Sequence, residues 1–252
     1  MQLPTRLGTD EDGHIINQTN RMRIQVMYRS VIEEVIGLLK KQFGEVLHSV
    51  YVYDSIGRGT AVAGKSDLDL TVIVRETVQI DALREETEDL LERHPEIIKV
   101  DYDIGILDTV LSPENLYEWG FWMRHACSCI DGFDLSHQFP NMKPDVRISR
   151  ALNRDLSVQL RMAHEKLEAG EMTQMTQMEK RSLVKRMIRG AYLHVNVKDQ
   201  SFASTIEDSL FILRLYFPED KLIEDLALAI DRMELSDDWL HELLHRYELM
   251  FI

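Results

Sequence analysis

The chain has 252 residues, 44% of them hydrophobic and 29% charged, the proportions of an ordinary folded protein with a core to bury. No apolar run approaches the length of about eighteen residues that a membrane span needs. Forty-three Asp and Glu against 29 Lys and Arg leave a net charge of −14. Nonspecific nucleic-acid binding rests on Lys and Arg neutralising phosphates, so nucleic acid is a poor partner here, and a cationic small molecule or basic protein patch a better one.

In chain order, residues 1–18 are polar and rich in Gly and Asp, which predicts a loose arm. The opening MQLPTRLGTDEDGH has no apolar signal core. Cys127 and Cys129 sit too close together for a stable structural disulfide or a four-cysteine zinc site. A reducing cytoplasm is the expected compartment. From Arg21 to Phe43 the residues Ile24, Met27, Val31, Ile32, Val35, Ile36 and Leu39 recur at helical spacing, and Gly44 marks the stop. Strands follow near 48–53 and 69–74, a polar helix near 79–93 ends before Pro95, and a third strand lies near 97–107. A helix from about Pro113 to Ile130 carries Tyr117, Trp119, Phe121 and Trp122, an aromatic density that suits a core.

Residues 131–144, DGFDLSHQFPNMKP, form the most loop-like interior stretch and mark the expected boundary between domains at 1–135 and 145–252. Beyond it the pattern is helical over about 146–169, 177–198, 202–216, 219–233 and 236–249. Gly170, Pro218 and Ser236-Asp237-Asp238 punctuate these segments. The stretch MTQMTQMEK at 172–180 is compositionally biased and carries no mechanism.

Chemistry concentrates in residues 53–70, YDSIGRGTAVAGKSDLDL. Side chains two apart on a strand share a face at roughly 6.6–6.8 Å, so Asp67 and Asp69 point one way while Leu68 and Leu70 point into a core. Paired carboxylates repel unless a cation or proton lies between them, and hard oxygen ligands suit Mg²⁺ or Mn²⁺ together with substrate phosphates. The turn upstream offers the Ser55 hydroxyl, amides around Gly57 and Gly59, and cationic Arg58, which suit a phosphate. In IIKVDYDIGIL, residues 97–107, Val100, Tyr102 and Ile104 share one face and Lys99, Asp101 and Asp103 the other.

The string closely resembles the signature of the DNA polymerase β-like nucleotidyltransferase superfamily. Ser55, Gly57-Arg58-Gly59-Thr60-Ala61 and Ser66-Asp67-Leu68-Asp69 match it position by position, over motifs spanning roughly 45–107. Asp54 stands where the family usually has glycine. The resemblance includes small bacterial nucleotidyltransferases and aminoglycoside adenylyltransferases. It implies an α+β fold, a small mixed sheet flanked by helices and followed by an all-helical C-terminal domain, with the nucleotidyltransferase domain at 1–135. It also implies a third acid, Asp101 with Asp103 as fallback, completing a catalytic and metal-binding set with Asp67 and Asp69. Two Mg²⁺ and a nucleoside triphosphate follow from the same resemblance. Ser55, Arg58 and Gly59 would contact the phosphates. Relatives recruit cations from the helical domain for the triphosphate, which points to Lys185 and Arg189 on a basic helix face with Arg181 and Arg186.

Two other motifs are weaker. His241-Glu-Leu-Leu-His245 matches the zinc-peptidase string, but a third ligand usually lies downstream and only seven residues follow. Arg189 and His194 have the R-x4-H spacing of some ribonucleases, a match expected by chance among nine histidines. The expected activity is therefore transfer of a nucleoside monophosphate, AMP in the first instance, to a hydroxyl of a small cationic acceptor such as an aminoglycoside. A nucleotidyltransferase-fold regulator, an antitoxin-like or degenerate protein, and a transferase acting on protein or RNA are the alternatives.

Overall fold

The computed structural model describes residues 3–168 and 175–252, which fall into two compact units, Ile16–Met142 and Met1–Ile15 with Lys143–Ile252. Gly170, residue 169 and the first residues of the biased stretch at 172–180 lie outside the described residues.

The first unit is built on a four-stranded mixed sheet in the order β3-β2-β1-β4. Its strands are β1 (Leu47–Tyr53), β2 (Leu68–Val74), β3 (Val100–Ile106) and β4 (Cys127–Gly132). β1 runs antiparallel to β2 and β4, and β2 runs parallel to β3. Parallel neighbours need a crossover connection, and a helix at Asp81–Leu91 supplies it. Strand alternation then divides the side chains. Val50, Val52, Leu68, Leu70, Val72 and Val74 face a core shared with the long helix α1 (Arg29–Phe43). On the opposite face Tyr51 and Ile73 pack in a second cluster with Val110, Met123, Leu135 and Phe139.

The α+β class and small mixed sheet are as expected, and four local expectations are corrected. The helix expected over residues 113–130 stops at His125, and Cys127–Gly132 pairs with β1 instead. Before that stop the chain forms a 3₁₀ turn at Pro113–Asn115, a π-helical turn at Leu116–Gly120 and an α turn at Phe121–His125. Cys127, Cys129 and Ile130 have the apolar, β-compatible character of an edge strand, which a helical pattern drawn through the aromatics hides. The helix expected from Arg21 begins at Arg29, after 3₁₀ turns at Arg21–Arg23 and Val26–Tyr28, the first capped by the Asn20 side chain.

In the Lys143–Ile252 part of the second unit the elements among the described residues are all helices: Val146–Leu152, Leu156–Glu168, Gln177–Leu193, Asn196–Asp199, Ile206–Tyr216, Lys221–Asp231 and Asp237–Phe251. The segment expected as one helix over 146–169 is broken at Asn153–Asp155. Apolar faces of these helices, among them Leu183, Met187, Ile212, Leu226 and Tyr247, close a single core. The helix at Gln177–Leu193 opens with a reciprocal capping box between Thr176 and Glu179. The arm expected to be loose is tied into this unit. Fully buried Asp199 accepts from the Thr5 amide at 2.9 Å, the Thr5 hydroxyl and the Tyr216 hydroxyl at 3.0 Å, and the Phe202 amide donates to Leu7 at 2.8 Å. A charge is tolerated inside only when its lone pairs are satisfied, and Thr5 and Tyr216 do that for Asp199.

Candidate active site

The apolar face of β2 belongs to the core, so its opposite face is set for chemistry. Thr71 and Ile73 on that face are buried, Ile73 beneath the cluster around Tyr51 and Met123, while Asp69 and Asp67 at the start of the strand remain partly accessible. The parallel register sets Asp69 directly against Asp101 and Thr71 against Asp103. Asp67, Asp69 and Asp101 converge, with one carboxylate oxygen from each lying within 4.8 Å of the others. Among the described residues no other group of three such ligands does so. Asp103, one pleat along, is outside the group; with Asp101, Tyr53, Arg84, Val100 and Tyr102 it lines an open hollow of about 410 Å³.

The electrostatics are those of acids pressed together. Burial, followed by the charges of Asp54, Asp67 and Asp101, pushes Asp69 up to about 7. Burial also raises Asp67, against the pull of Lys99. The Tyr53 phenol is raised by burial and then by Asp69, Asp103, Asp101 and Asp54. Its ring meets Trp122 edge-on at 5.0 Å, and the Trp122 indole N–H donates to Thr71 Oγ1 at 2.8 Å.

The upstream motif folds as a single helical turn, Asp54–Arg58, closed by Gly59 in the left-handed region at φ 75°. Gly59 has a packing reason as well as a conformational one, and Gly57 has a packing reason. A Cβ on Gly57 would sit 2.5 Å from Thr19 Cγ2, and one on Gly59 2.6 Å from the Arg23 carbonyl. The glycines thus let residues 19–23 lie against the turn, and the Asn20 amide donates to the Gly57 carbonyl at 2.9 Å. The Gly59 amide donates to Ile56, and the Ser55 carbonyl accepts from the Thr60 amide at 2.9 Å. Ser66 Oγ accepts from the Val62 amide at 2.9 Å, holding the loop that delivers Asp67. Asp54 adopts a positive φ of 53° and binds Arg58 through its carboxylate. At the position where the resembled signature carries glycine, this chain therefore has an acid with its own local counter-ion.

Lys185 and Arg189 lie on the helix Gln177–Leu193 of the second unit, both exposed. Their basic neighbours are engaged locally. Arg181 donates to the Arg232 and Met233 carbonyls and Arg186 binds Asp155, while Lys180 is buried against Asp237 and the Leu235 carbonyl. His241 and His245 are exposed on a helix whose other face is core, and they join no three-ligand group among the described residues. His194 packs its ring against Phe251, and burial lowers its pKa.

One residue of the site was overlooked from sequence. Lys99 donates to Asp101 Oδ2 at 2.6 Å and stands 3.4 Å from Asp67 Oδ2. Its place two residues before Asp101 on the same strand face was the available signal.

No family model matches the sequence, and no curated protein matches it either. Solved structures do match by fold. One is the crystal structure of spectinomycin adenyltransferase AAD(9) from Enterococcus faecialis with ATP and spectinomycin. It is 13% identical to this chain at a TM-score of 0.55, over 86% of this chain and 98% of that one. The chain thus has the nucleotidyltransferase fold with a helical C-terminal part. No helix among the described residues is long and apolar enough to cross a membrane.

Proposed function

We propose that this chain, having the polymerase β-like nucleotidyltransferase fold, moves AMP from ATP to a hydroxyl of a small cationic acceptor such as an aminoglycoside, as a cytoplasmic enzyme. The observation that carries the reading is the convergence of Asp67, Asp69 and Asp101 on one open sheet face of that fold. The neighbour's ATP and spectinomycin support the nucleotide and the acceptor class. The net charge of −14 supports a cationic acceptor over a polyanionic one.

The donor set fits a hard divalent ion. All three donors are carboxylates, Asp67 Oδ1 is buried without a hydrogen-bond partner, and burial, followed by the neighbouring acids, already pushes Asp69 upward. Such crowding is relieved by a cation. Asp67, Asp69 and Asp101 would hold Mg²⁺, two ions in the complete reaction complex, supplying a lowered acceptor-hydroxyl pKa and charge neutralisation at the phosphates. The protein's own groups do the rest. Asp101, which lines the open hollow, would take the proton of the attacking hydroxyl. Ser55 and Arg58 on the helical turn, with Gly59 behind them, contact the phosphates. Lys185 and Arg189 bind the triphosphate as charge-assisted donors. The reaction is in-line attack at the α-phosphorus, with pyrophosphate leaving.

A second reading has one observation in its favour. Asp54 adds a negative charge to the phosphate turn and engages Arg58, as expected of a regulator or degenerate member that has lost turnover. Separate incubations with labelled ATP, GTP, CTP and UTP plus Mg²⁺, each offered aminoglycosides, proteins and RNA, decide between the two. Label transferred from ATP to a small acceptor is the expected result. Absence of transfer from every nucleotide to every acceptor class would leave the regulator reading in its place.

A further inference from the structure

The position of Lys99 bears on how many metal ions the site can hold, a question that rests on the metal reading above. The Leu68 amide donates to the Lys99 carbonyl at 2.9 Å, setting Lys99 beside Asp67 just ahead of the Asp69–Asp101 pairing. From there the ammonium reaches both Asp101, at 2.6 Å, and Asp67, at 3.4 Å. Of the other local cations, Arg58 is bound to Asp54, and Arg84 lines the hollow with Asp101 and Asp103. Asp54, Asp67, Asp69, Asp101 and Asp103 thus stand against Arg58, Arg84 and Lys99, a formal deficit equal to the charge of one divalent ion, not two. The deficit is also localised. Asp69 forms no ion pair among the described residues and Asp67 Oδ1 has no partner, whereas Asp101 already holds an ammonium.

We infer that Lys99 is a positioning residue that fills one of the two cation places of the acid cluster. The nucleotide-free protein then takes a single divalent ion on Asp67 and Asp69, and a second enters only with the triphosphate, displacing Lys99 from Asp101. The lysine suits an exchangeable role. Its side chain is 47% exposed, and a flexible four-carbon stem with three rotatable donors lets the charge swing out without disturbing the strand. Until that exchange, Lys99 keeps Asp101 aligned against Asp69 where two bare carboxylates would separate.

Calorimetric titration with Mn²⁺ alone, without nucleotide, tests this on the wild type, Lys99→Met, Lys99→Arg and Asp67→Asn, with melting temperatures read with and without Mn²⁺. One Mn²⁺ per wild-type chain is expected. Lys99→Met should gain a second Mn²⁺ or bind the first about tenfold more tightly or better, and its melting temperature should rise more on Mn²⁺ addition. Lys99→Arg should return to wild-type stoichiometry. A purely structural lysine would lower the metal-free melting temperature and leave Mn²⁺ binding as it was. Two ions on the nucleotide-free wild type, or identical Mn²⁺ binding by wild type and Lys99→Met, would overturn the inference and leave the metal reading standing. Undiminished Mn²⁺ binding by Asp67→Asn, or no uptake by either wild type or Lys99→Met, would overturn both.

Discussion

The acid face of the sheet and the basic face of the helix Gln177–Leu193 are both dense runs of like charge, yet they settle their repulsion differently. On the helix, Lys180, Arg181 and Arg186 are drawn off to carbonyls and acids of neighbouring segments, leaving Lys185 and Arg189 exposed one turn apart at the surface. On the sheet, the pairing of β2 with β3 forces acids together, and among the described residues Asp69 forms no salt bridge of its own. Locally neutralised charge is ordinary surface chemistry and contributes little. Repulsion that the fold maintains is stored for a ligand of opposite sign. Strained charge, more than abundant charge, marks the proposed site.

The comparison is broken most sharply at the sheet. Asp67→Asn or Asp69→Asn should abolish nucleotidyl transfer while the fold persists, with a melting temperature equal to or slightly above wild type because one repelling charge is gone. Turnover above a tenth of wild type at saturating Mg²⁺ in either variant would refute the metal assignment. On the helix the expected loss is smaller and confined to binding. Lys185→Ala and Arg189→Ala should raise the KM for ATP more than that for the acceptor, by about ten- to a hundredfold if each loses a charge-assisted hydrogen bond of roughly 1.5–3 kcal/mol. Unchanged ATP affinity in both would make that face a solvated surface and nothing more.

Asp54 tests how far local pairing disarms a charge. Two unit charges at about 4 Å repel by roughly 1 kcal/mol in water and about 4 kcal/mol at an effective dielectric of 20. Asp54→Gly should therefore tighten ATP binding, the more so because Arg58 is released toward the phosphates. Stability should stay within ~1 kcal/mol of wild type: glycine accepts φ 53° freely but enlarges the unfolded ensemble. Weaker ATP binding in a titration at fixed Mg²⁺ would show that Asp54 serves as a ligand.

The smallest effect is remote from the acids. Buried His94 lies between Glu34 Oε1 at 2.9 Å and Glu96 Oε1 at 2.8 Å. Burial opposes its charge, but the two carboxylates outweigh burial and raise its pKa. A raised folded-state value means the stabilisation is complete below the unfolded pKa of about 6.5 and is lost as pH rises through the folded value. The melting-temperature gap between wild type and His94→Asn should accordingly narrow from pH 6 to pH 9. A gap that widens with pH would show that the pair is held by packing with a neutral ring.

Much of this was legible in the chain itself, because period-two and period-3.6 patterns are local. The alternation in 67–74 determined that Asp67 and Asp69 share a face away from Leu68 and Leu70, and that in 97–107 did the same for Lys99, Asp101 and Asp103. The helical spacing of the C-terminal half determined its all-α character, and the string from Ser55 to Asp69 determined the fold to expect. What remained to tertiary structure depends on partners distant in sequence. Only pairing with β1 makes Cys127–Gly132 a strand, since a short apolar run after a helical turn has no decisive period of its own. Only Asp199 and Phe202 turn the polar first residues into an ordered segment. And only the parallel register of β2 with β3 sets Asp69 against Asp101 and brings Lys99 to Asp67, because sequence specifies which way a side chain faces, whereas register determines what it meets.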